Sequence, residues 1–311
     1  MLALLVDHDV PGGLRLGETA DPVPAADEVL VEVRAISLNH GELRGAILNH
    51  GELLGVAKQS AGYVPGWDAA GVVRSPAASG CGPPVGSRVV TYGPSGAWAQ
   101  LRAVPVGELA VVPEEVDLGA AATLPVAGVT ALRALRRLGF VLGRRVLVTG
   151  ASGGVGRFAV QLGAAAGAHV IASVGSAERG EGLAGLGAAE VVVGLDGVES
   201  GLHGVLDNVG GPQLAQAFAL LAEGGSVQLI GAASGEPTVF EPYATVGELR
   251  SLQSFLMGAE LAGDLAVLVG MLASGRLDPQ IGRRLDWTDV ARAAESLFAR
   301  RIAGKAVLDV S

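Results

Sequence analysis

A run of glycines at the junction of an apolar strand and an apolar helix constrains this chain more than any other feature. Val146-Leu-Val-Thr149 leads directly into Gly150-Ala-Ser-Gly-Gly-Val-Gly156, and Arg-Phe-Ala-Val-Gln-Leu162 follows. Glycines at such a junction let the backbone turn tightly and approach an anion closely. The helix behind them aims amides carrying roughly half a positive charge at it. A glycine motif alone is a weak signal; between a strand and a helix, inside an alternating pattern of both, it indicates a dinucleotide site. Gly150, Ser152, Gly153, Gly154, Val155 and Gly156 are the expected contacts to the pyrophosphate. The turn departs from a strict G-x-G-x-x-G, because Ala151 takes the first glycine place and Gly150 precedes it.

The flanking pattern supplies the fold class. From residue 119 onward, apolar strands are expected at Arg145–Thr149, His169–Val174, Glu190–Leu195, Gly204–Val209 and Ser226–Ile230, with apolar helices between them. In the first helix Val155, Ala159, Leu162 and Ala166 recur at helical period. Strands this uniformly apolar imply a doubly wound α/β domain whose parallel sheet is covered on both sides. Residues 1–118 differ in texture. Short runs such as Glu28–Arg34, Ala70–Arg74 and Ser87–Thr91 alternate with Pro/Gly clusters, which reads as a β-rich domain. The tail, 262–311, carries helices at Asp264–Ala273 and Val290–Phe298 and a strand at Lys305–Val310, and is expected to rejoin the first domain. A chain of 311 residues fits two domains better than one.

The end of the second strand selects the nicotinamide cofactor. NAD sites place an Asp or Glu there to hold the ribose 2′-hydroxyl. This strand instead ends Ala172-Ser-Val-Gly-Ser-Ala-Glu-Arg179. Gly175 and Ser176 lie at the tip, and Arg179 offers a charged fork to a 2′-phosphate, so NADPH is expected; Glu178 pulls toward NADH.

Composition excludes several functions. The net charge is −9 and no basic run occurs, so nucleic acid is not an expected partner. Cys81 is the single cysteine, which rules out an internal disulfide and a cysteine-rich zinc site. The opening Met1–Val6 is too short for a signal peptide, and no stretch reaches the ~18 apolar residues of a membrane span. A cytoplasmic protein is expected. The hexapeptide Leu-Asn-His-Gly-Glu-Leu occurs at 38–43 and again at 48–53; two copies make no repeat architecture.

Several segments occur in the order seen in one large enzyme family. Asn39 in Ser37–Glu42, Pro65-Gly-Trp-Asp-Ala-Ala-Gly-Val-Val73, Val85–Val90, Leu124–Ala131, Gly150–Leu162, Asp207-Asn-Val-Gly-Gly211 and Ala303–Leu308 resemble the medium-chain dehydrogenase/reductase superfamily. The likeness is greatest to its zinc-independent quinone oxidoreductase branch, which includes enone and enoyl reductases. The resemblance implies a GroES-like catalytic domain built from both chain ends, a Rossmann domain between them, and a homodimer. It places Asn39 and Thr130 near the nicotinamide, Gly231 where the backbone passes the ring, Asn208 in the cofactor segment and Lys305 near the cleft. Asn39 is then a hydrogen-bonding partner of a substrate carbonyl or of the ribose, or a structural turn residue. Thr130 touches the cofactor or caps the helix Ala131–Arg137. Lys305 is a cleft lysine or a solvent-exposed one.

Zinc-dependent relatives carry a cysteine where this chain has Asn39 and a His-Glu pair where it has Trp67-Asp68. Without thiolate or imidazole there, no zinc is expected, and His40 with His50 on one loop makes a poor substitute. Lacking a Lewis acid, alcohol oxidation is disfavoured, and hydride transfer to a quinone or an activated C=C is expected. Many relatives also carry a tyrosine some residues before the Pro-Gly-x-Asp motif; here Leu54-Gly-Val56 lies in that region and Tyr63 is too close to the motif. The proton donor therefore stays open among His40, Tyr63, Tyr92 and water, with Asn39, His40 and Tyr63 as the candidate catalytic residues. Leu252–Met257 and the segment 44–64 are expected to line a pocket for a small hydrophobic carbonyl or quinone. A short-chain dehydrogenase is excluded by the turn's position and by the lack of Tyr-x-x-x-Lys. A non-catalytic NADPH-binding protein is the alternative from another class.

Overall fold

The computed structural model describes residues 1–10, 13–47 and 59–311. In chain order the described elements begin with strands β1 (Leu2–Val6), β2 (Leu14–Glu18) and β3 (Glu28–Leu38), then helix α1 (His40–Ile47). Strands β4 (Asp68–Ser75), β5 (Arg88–Tyr92), β6 (Leu101–Pro105) and β7 (Leu109–Val111) follow, then α2 (Leu118–Ala121) and α3 (Val129–Arg137). Next come β8 (Arg145–Val148), α4 (Gly154–Ala165), β9 (His169–Val174), β10 (Glu190–Val193), β11 (Leu202–Asp207), α5 (Gly211–Ala219), β12 (Leu221–Leu229) and β13 (Ser251–Ser254). The chain closes with α6 (Ala262–Ala273), β14 (Ile281–Asp286), α7 (Val290–Phe298) and β15 (Lys305–Asp309).

Two units result, one of residues 1–129 with 259–311 and one of residues 130–258. The sequence texture put the first boundary at 118/119; residues 119–129 belong instead with the first unit. The cause is packing: α2 lies on β3, β4, β5 and β15, and the turn Leu124–Gly128 lies on β4, β5 and α6. The first unit is built on β3, which is long enough at 11 residues to pair with β4, β6 and β15 at once. Its sheet runs β14-β15-β3-β4-β5-β7, so the last strand of the chain sits beside the third. A core of Leu4, Ile36, Leu38, Leu43, Trp98, Trp287 and Leu308 fills one side.

The second unit is a six-stranded sheet, every pair of it parallel, in the order β10-β9-β8-β11-β12-β13. Chain direction across the sheet reverses between β8 and β11, and in such open sheets the crevice at the carboxyl ends of those two strands holds the ligand. Val146, Leu147 and Val148 are buried, as periodicity requires for a central strand. The middle of α4, Gly156–Gly163, is buried all round, so the face drawn from Val155, Ala159, Leu162 and Ala166 is incomplete; Ala166 lies past the helix end and is exposed. At the sheet edge β10 alternates, with Val191 and Val193 open to solvent. Among the described residues no helix is long and apolar enough to cross a membrane.

The turn before α4 depends on Gly156. A Cβ there would stand 2.4 Å from the Gly150 carbonyl oxygen and 2.6 Å from Ala151 Cα, both backbone atoms that cannot step aside. Gly156→Ala is expected to destabilise the fold by about 1–3 kcal/mol through overpacking, read as a fall in the midpoint of thermal unfolding.

Candidate functional site

In the second unit the carboxyl ends of β8 and β11 are stapled together. Thr149 Oγ1 donates to Asp207 Oδ1 at 2.6 Å and accepts from the Asn208 amide at 3.0 Å, while Asn208 Nδ2 donates to the Thr149 carbonyl at 2.8 Å. Asp207 also accepts from the Gly210 amide at 2.9 Å; burial pushes its carboxyl pKa up. This cluster fixes the floor from which the glycine turn rises. Gly150 adopts φ +60°, and a side chain there would press on Asn208 and Val209, so a residue without Cβ is required. Gly153 caps α4, whose first-turn amides have no acceptor within the helix, an arrangement able to receive an anion. Ser152, Gly154 and Val155 are half-buried on that turn. Gly231 stands just after β12, its amide bonded to the Asp207 carbonyl at 3.1 Å. Asn208 therefore shapes the turn through its amide group.

The loop after β9 carries Gly175 exposed and Ser176 and Arg179 half-buried. A hydrogen bond from the Ser176 side chain to Glu178 holds that exposed carboxyl below its ordinary pKa. Thr130 is buried as the second residue of α3. The helix starts at Val129, whose amide reaches the Leu124 carbonyl five residues back, so a π-type turn leads into it and Thr130 is not its N-cap. Leu252–Met257, expected in a pocket wall, comprises the edge strand β13 and its sequel. Its carbonyls at Ser254, Leu256 and Met257 are held by Arg137 and Arg133 of α3. Most of the segment 44–64 and the second hexapeptide copy lie outside the described residues.

The first unit brings Asn39 and Lys305 together with two acids and a cation that the motif reading passed over. Glu42, Asp68, Arg102 and Lys305 are each at most 4% exposed. Lys305 Nζ donates to the Asn39 side-chain carbonyl at 2.5 Å and to the Leu38 carbonyl at 3.0 Å, and lies 3.6 Å from Asp68 Oδ2. Asn39 Nδ2 spends its two protons on Glu42 Oε1 at 3.1 Å and Asp68 Oδ2 at 2.9 Å. Glu42 further accepts from the amides of Asn39 at 2.5 Å and Trp67 at 2.7 Å, and Asp68 from that of Val126 at 3.1 Å. Arg102 binds Thr91 Oγ1 at 3.0 Å and the Ser95 carbonyl at 3.0 Å. The arrangement corrects two expectations. Asn39 has no donor left for a substrate carbonyl, though its Oδ1 can accept one more hydrogen bond. Lys305 is not solvent-exposed, and its ammonium is engaged within its own unit.

One signal for Glu42 was present in the sequence. Asn39-His-Gly-Glu42 has capping-box spacing, and Glu42 does reach back to the Asn39 amide at the start of α1. Arg102 carries no local mark, because its neighbours come from distant strands. Of the open proton donors, His40 packs edge-on against Phe298 at 5.5 Å, and burial lowers its pKa, keeping it neutral. The Tyr63 hydroxyl points to the Pro94 carbonyl, 3.5 Å away. Burial, with Asp68 adding to it, raises the pKa of half-buried Tyr92 and keeps its phenol protonated.

Comparison with known proteins agrees with this geometry. A model for the alcohol dehydrogenase GroES-like domain matches residues 25–114, and one for zinc-binding dehydrogenases matches residues 154–274. YhfP of Bacillus subtilis, of quinone oxidoreductase type, is 30% identical over 233 residues, covering 68% of this chain and 69% of that protein. The chain belongs to the medium-chain dehydrogenase/reductase superfamily, in its quinone oxidoreductase-like branch. The acryloyl-coenzyme A reductase of Metallosphaera sedula is 26% identical over 337 residues, 95% of this chain and 96% of that enzyme. A mycobacterial protein solved in complex with NADPH superposes with a TM-score of 0.85 at 26% identity over 99% of both chains. This medium-chain oxidoreductase thus has a GroES-like unit and a Rossmann unit.

The name of one matching family implies zinc, and the donor set here does not fit it. In place of the thiolate stands the Asn39 amide and in place of the imidazole the Trp67 indole, and Asn39 and Asp68 already hold an ammonium. Among the described residues no group of three His, Cys, Asp or Glu side chains is placed to hold a metal ion.

The buried charges make two testable statements. Lys305→Met would strand the buried Asp68 carboxylate without its ammonium, and is expected to lower stability by about 3–5 kcal/mol in chemical denaturation. Burial, with Asp68 beside it, pushes Glu42 up to about 8 from an ordinary 4.5. The folded chain therefore holds that proton more tightly than the unfolded one. Its contribution is complete below pH 4.5 and is lost as pH rises through about 8. Glu42→Gln should flatten the decline of thermal stability across that window; an unchanged slope would assign the decline to other groups.

Proposed function

We propose that this oxidoreductase is an NADPH-dependent, zinc-independent reductase of quinones or activated C=C bonds in small hydrophobic carbonyl compounds. The observation that carries the reading is the Lys305 ammonium, held by Asn39 and Asp68 at the positions that serve zinc in metal-dependent relatives. A cation already fixed by a lysine leaves no electrophile of metallic strength for an alkoxide. Acceptors polarised by their own carbonyl groups suit such a site. Relatives named for quinone and acryloyl-coenzyme A reduction and the NADPH complex of a structural neighbour support the same acceptors and cofactor.

The nicotinamide, when bound, supplies the hydride. The glycine turn 150–156 and the first turn of α4 would hold the pyrophosphate; Gly175, Ser176 and Arg179 the adenosine ribose and its 2′-phosphate; and Thr130, Asn208 and Gly231 the nicotinamide half. In the first unit, Asn39 keeps one acceptor position on Oδ1. Lys305 acts through Asn39, by fixing which end of the amide faces outward. Tyr92, held protonated, is the side chain best suited to give the enolate its proton, with quinones needing little such help.

The Ser176–Glu178 hydrogen bond favours a second reading, in which Glu178 takes the 2′-hydroxyl of NADH. Arg179→Ala separates the two. On the NADPH reading it costs about 1.5–3 kcal/mol of NADPH binding, measured by titration, and leaves NADH nearly unchanged; equal losses, or a loss confined to NADH, overturn it. Nucleotide oxidation with a panel of quinones and enones tests turnover; tight NADPH binding with none on any acceptor would favour a binding protein instead.

A further inference from the structure

Arg157 occupies a place where a helix disfavours a base. It lies in the first turn of α4, at the positive end of the helix dipole, and is only 8% exposed. A guanidinium so placed needs acceptors. Two of them are main-chain carbonyls on different loops. Nε donates to the Ser152 carbonyl at 3.3 Å, inside the glycine turn. Nη2 donates to the Glu181 carbonyl at 3.0 Å, just past the short turn Glu178–Gly180 that follows β9. That second loop is tied together internally, because Arg179, Gly180 and Glu181 donate back to Ser176, Ala177 and Glu178 at 3.2, 2.9 and 3.4 Å. Glu181 is thus joined by backbone hydrogen bonds to the residues read above as meeting the ribose.

We propose that Arg157 is a specificity-setting positioning residue, whose guanidinium brackets the pyrophosphate turn to the ribose-recognition loop and fixes their spacing. The proposal rests on the dinucleotide reading above. One ligand must satisfy both loops at once, since pyrophosphate and adenosine ribose are adjacent parts of the same molecule. The distance between the loops therefore decides whether the ribose 2′ substituent meets Ser176, Glu178 and Arg179 when the phosphates are seated. Arg157 itself is behind the turn, on its carbonyl side, and acts through the two loops.

The test is titration of the purified protein and of Arg157→Gln and Arg157→Lys with NADPH and with NADH, alongside thermal unfolding. Arg157→Gln is expected to weaken both nucleotides by about five- to thirtyfold, and unequally, moving the ratio of the two dissociation constants toward unity by about threefold or more. Its kcat at saturating nucleotide should stay within about twofold of the parent value. Arg157→Lys, which keeps the charge and can reach one carbonyl, should fall between the two and serves alone if the glutamine variant does not fold. A lowered unfolding temperature with an unchanged NADPH to NADH ratio would make Arg157 a structural cap and overturn the proposal. Failure of the parent protein to bind either nucleotide would overturn the dinucleotide reading itself, and the bracket with it; the parent titration alone reveals that outcome.

Discussion

The first unit depends on a cluster of four buried ionisable side chains. Asp68 faces the cations Lys305 and Arg102, Glu42 holds its proton up to about pH 8, and the polar hydrogens between them are shared out so that few are idle. Removing such groups from water is expensive, and the cost is offset only when each charge finds a partner of good geometry. The partners here come from far apart in the chain. Lys305 opens the last strand, Asn39 and Glu42 close β3 and begin α1, Asp68 opens β4, and Val126 belongs to the turn before α3. Satisfying one ammonium thereby fixes the register of β15 against β3 and the entry of α1.

The second unit uses a neutral counterpart of the same device. The hydroxyl of Thr149 both donates and accepts, and so ties two parallel strands whose own ladder has ended. The staple lies at the switch point of the sheet, where side chains from neighbouring strands can splay apart. Holding the strand ends together keeps the glycine turn at one height above the sheet. Arg157 extends this order sideways to the loop after β9. Thr149, Asp207 and Arg157 are thus groups whose burial positions the half-buried turn between them.

The strand–turn–helix was readable because its signals are local: glycine chemistry, apolar periodicity and chain order all fall within residues 145–166. The β-rich texture before residue 119 was readable for the same reason. The boundary at 129/130 was not, since it follows from α2 and the 124–128 turn lying on strands more than twenty residues away, which an Ala- and Leu-rich stretch does not announce. Asn39 and Lys305 were found through their motifs, but their state was invisible, because lysine is ordinarily a surface residue and only the assembled sheet shows that this one is not. Arg102 sits in a strand whose alternating pattern would equally suit a solvent-facing base. Glu42 had its capping spacing, and Asp68 stood in view as a residue read only for what it was not.

The mutual dependence of these four side chains also bears on how such a chain can evolve. A single change at Asp68, Arg102 or Lys305 leaves an unmatched charge in the interior, and a change at Glu42 leaves the amides of Asn39 and Trp67 without their acceptor, so one loss calls for another nearby. Descent along this lineage should therefore pass through coupled substitutions at these positions. A route from a lysine-filled site to a metal-filled one has to vacate the ammonium and alter Asn39 nearly together, which makes the metal-free state easy to keep and hard to leave.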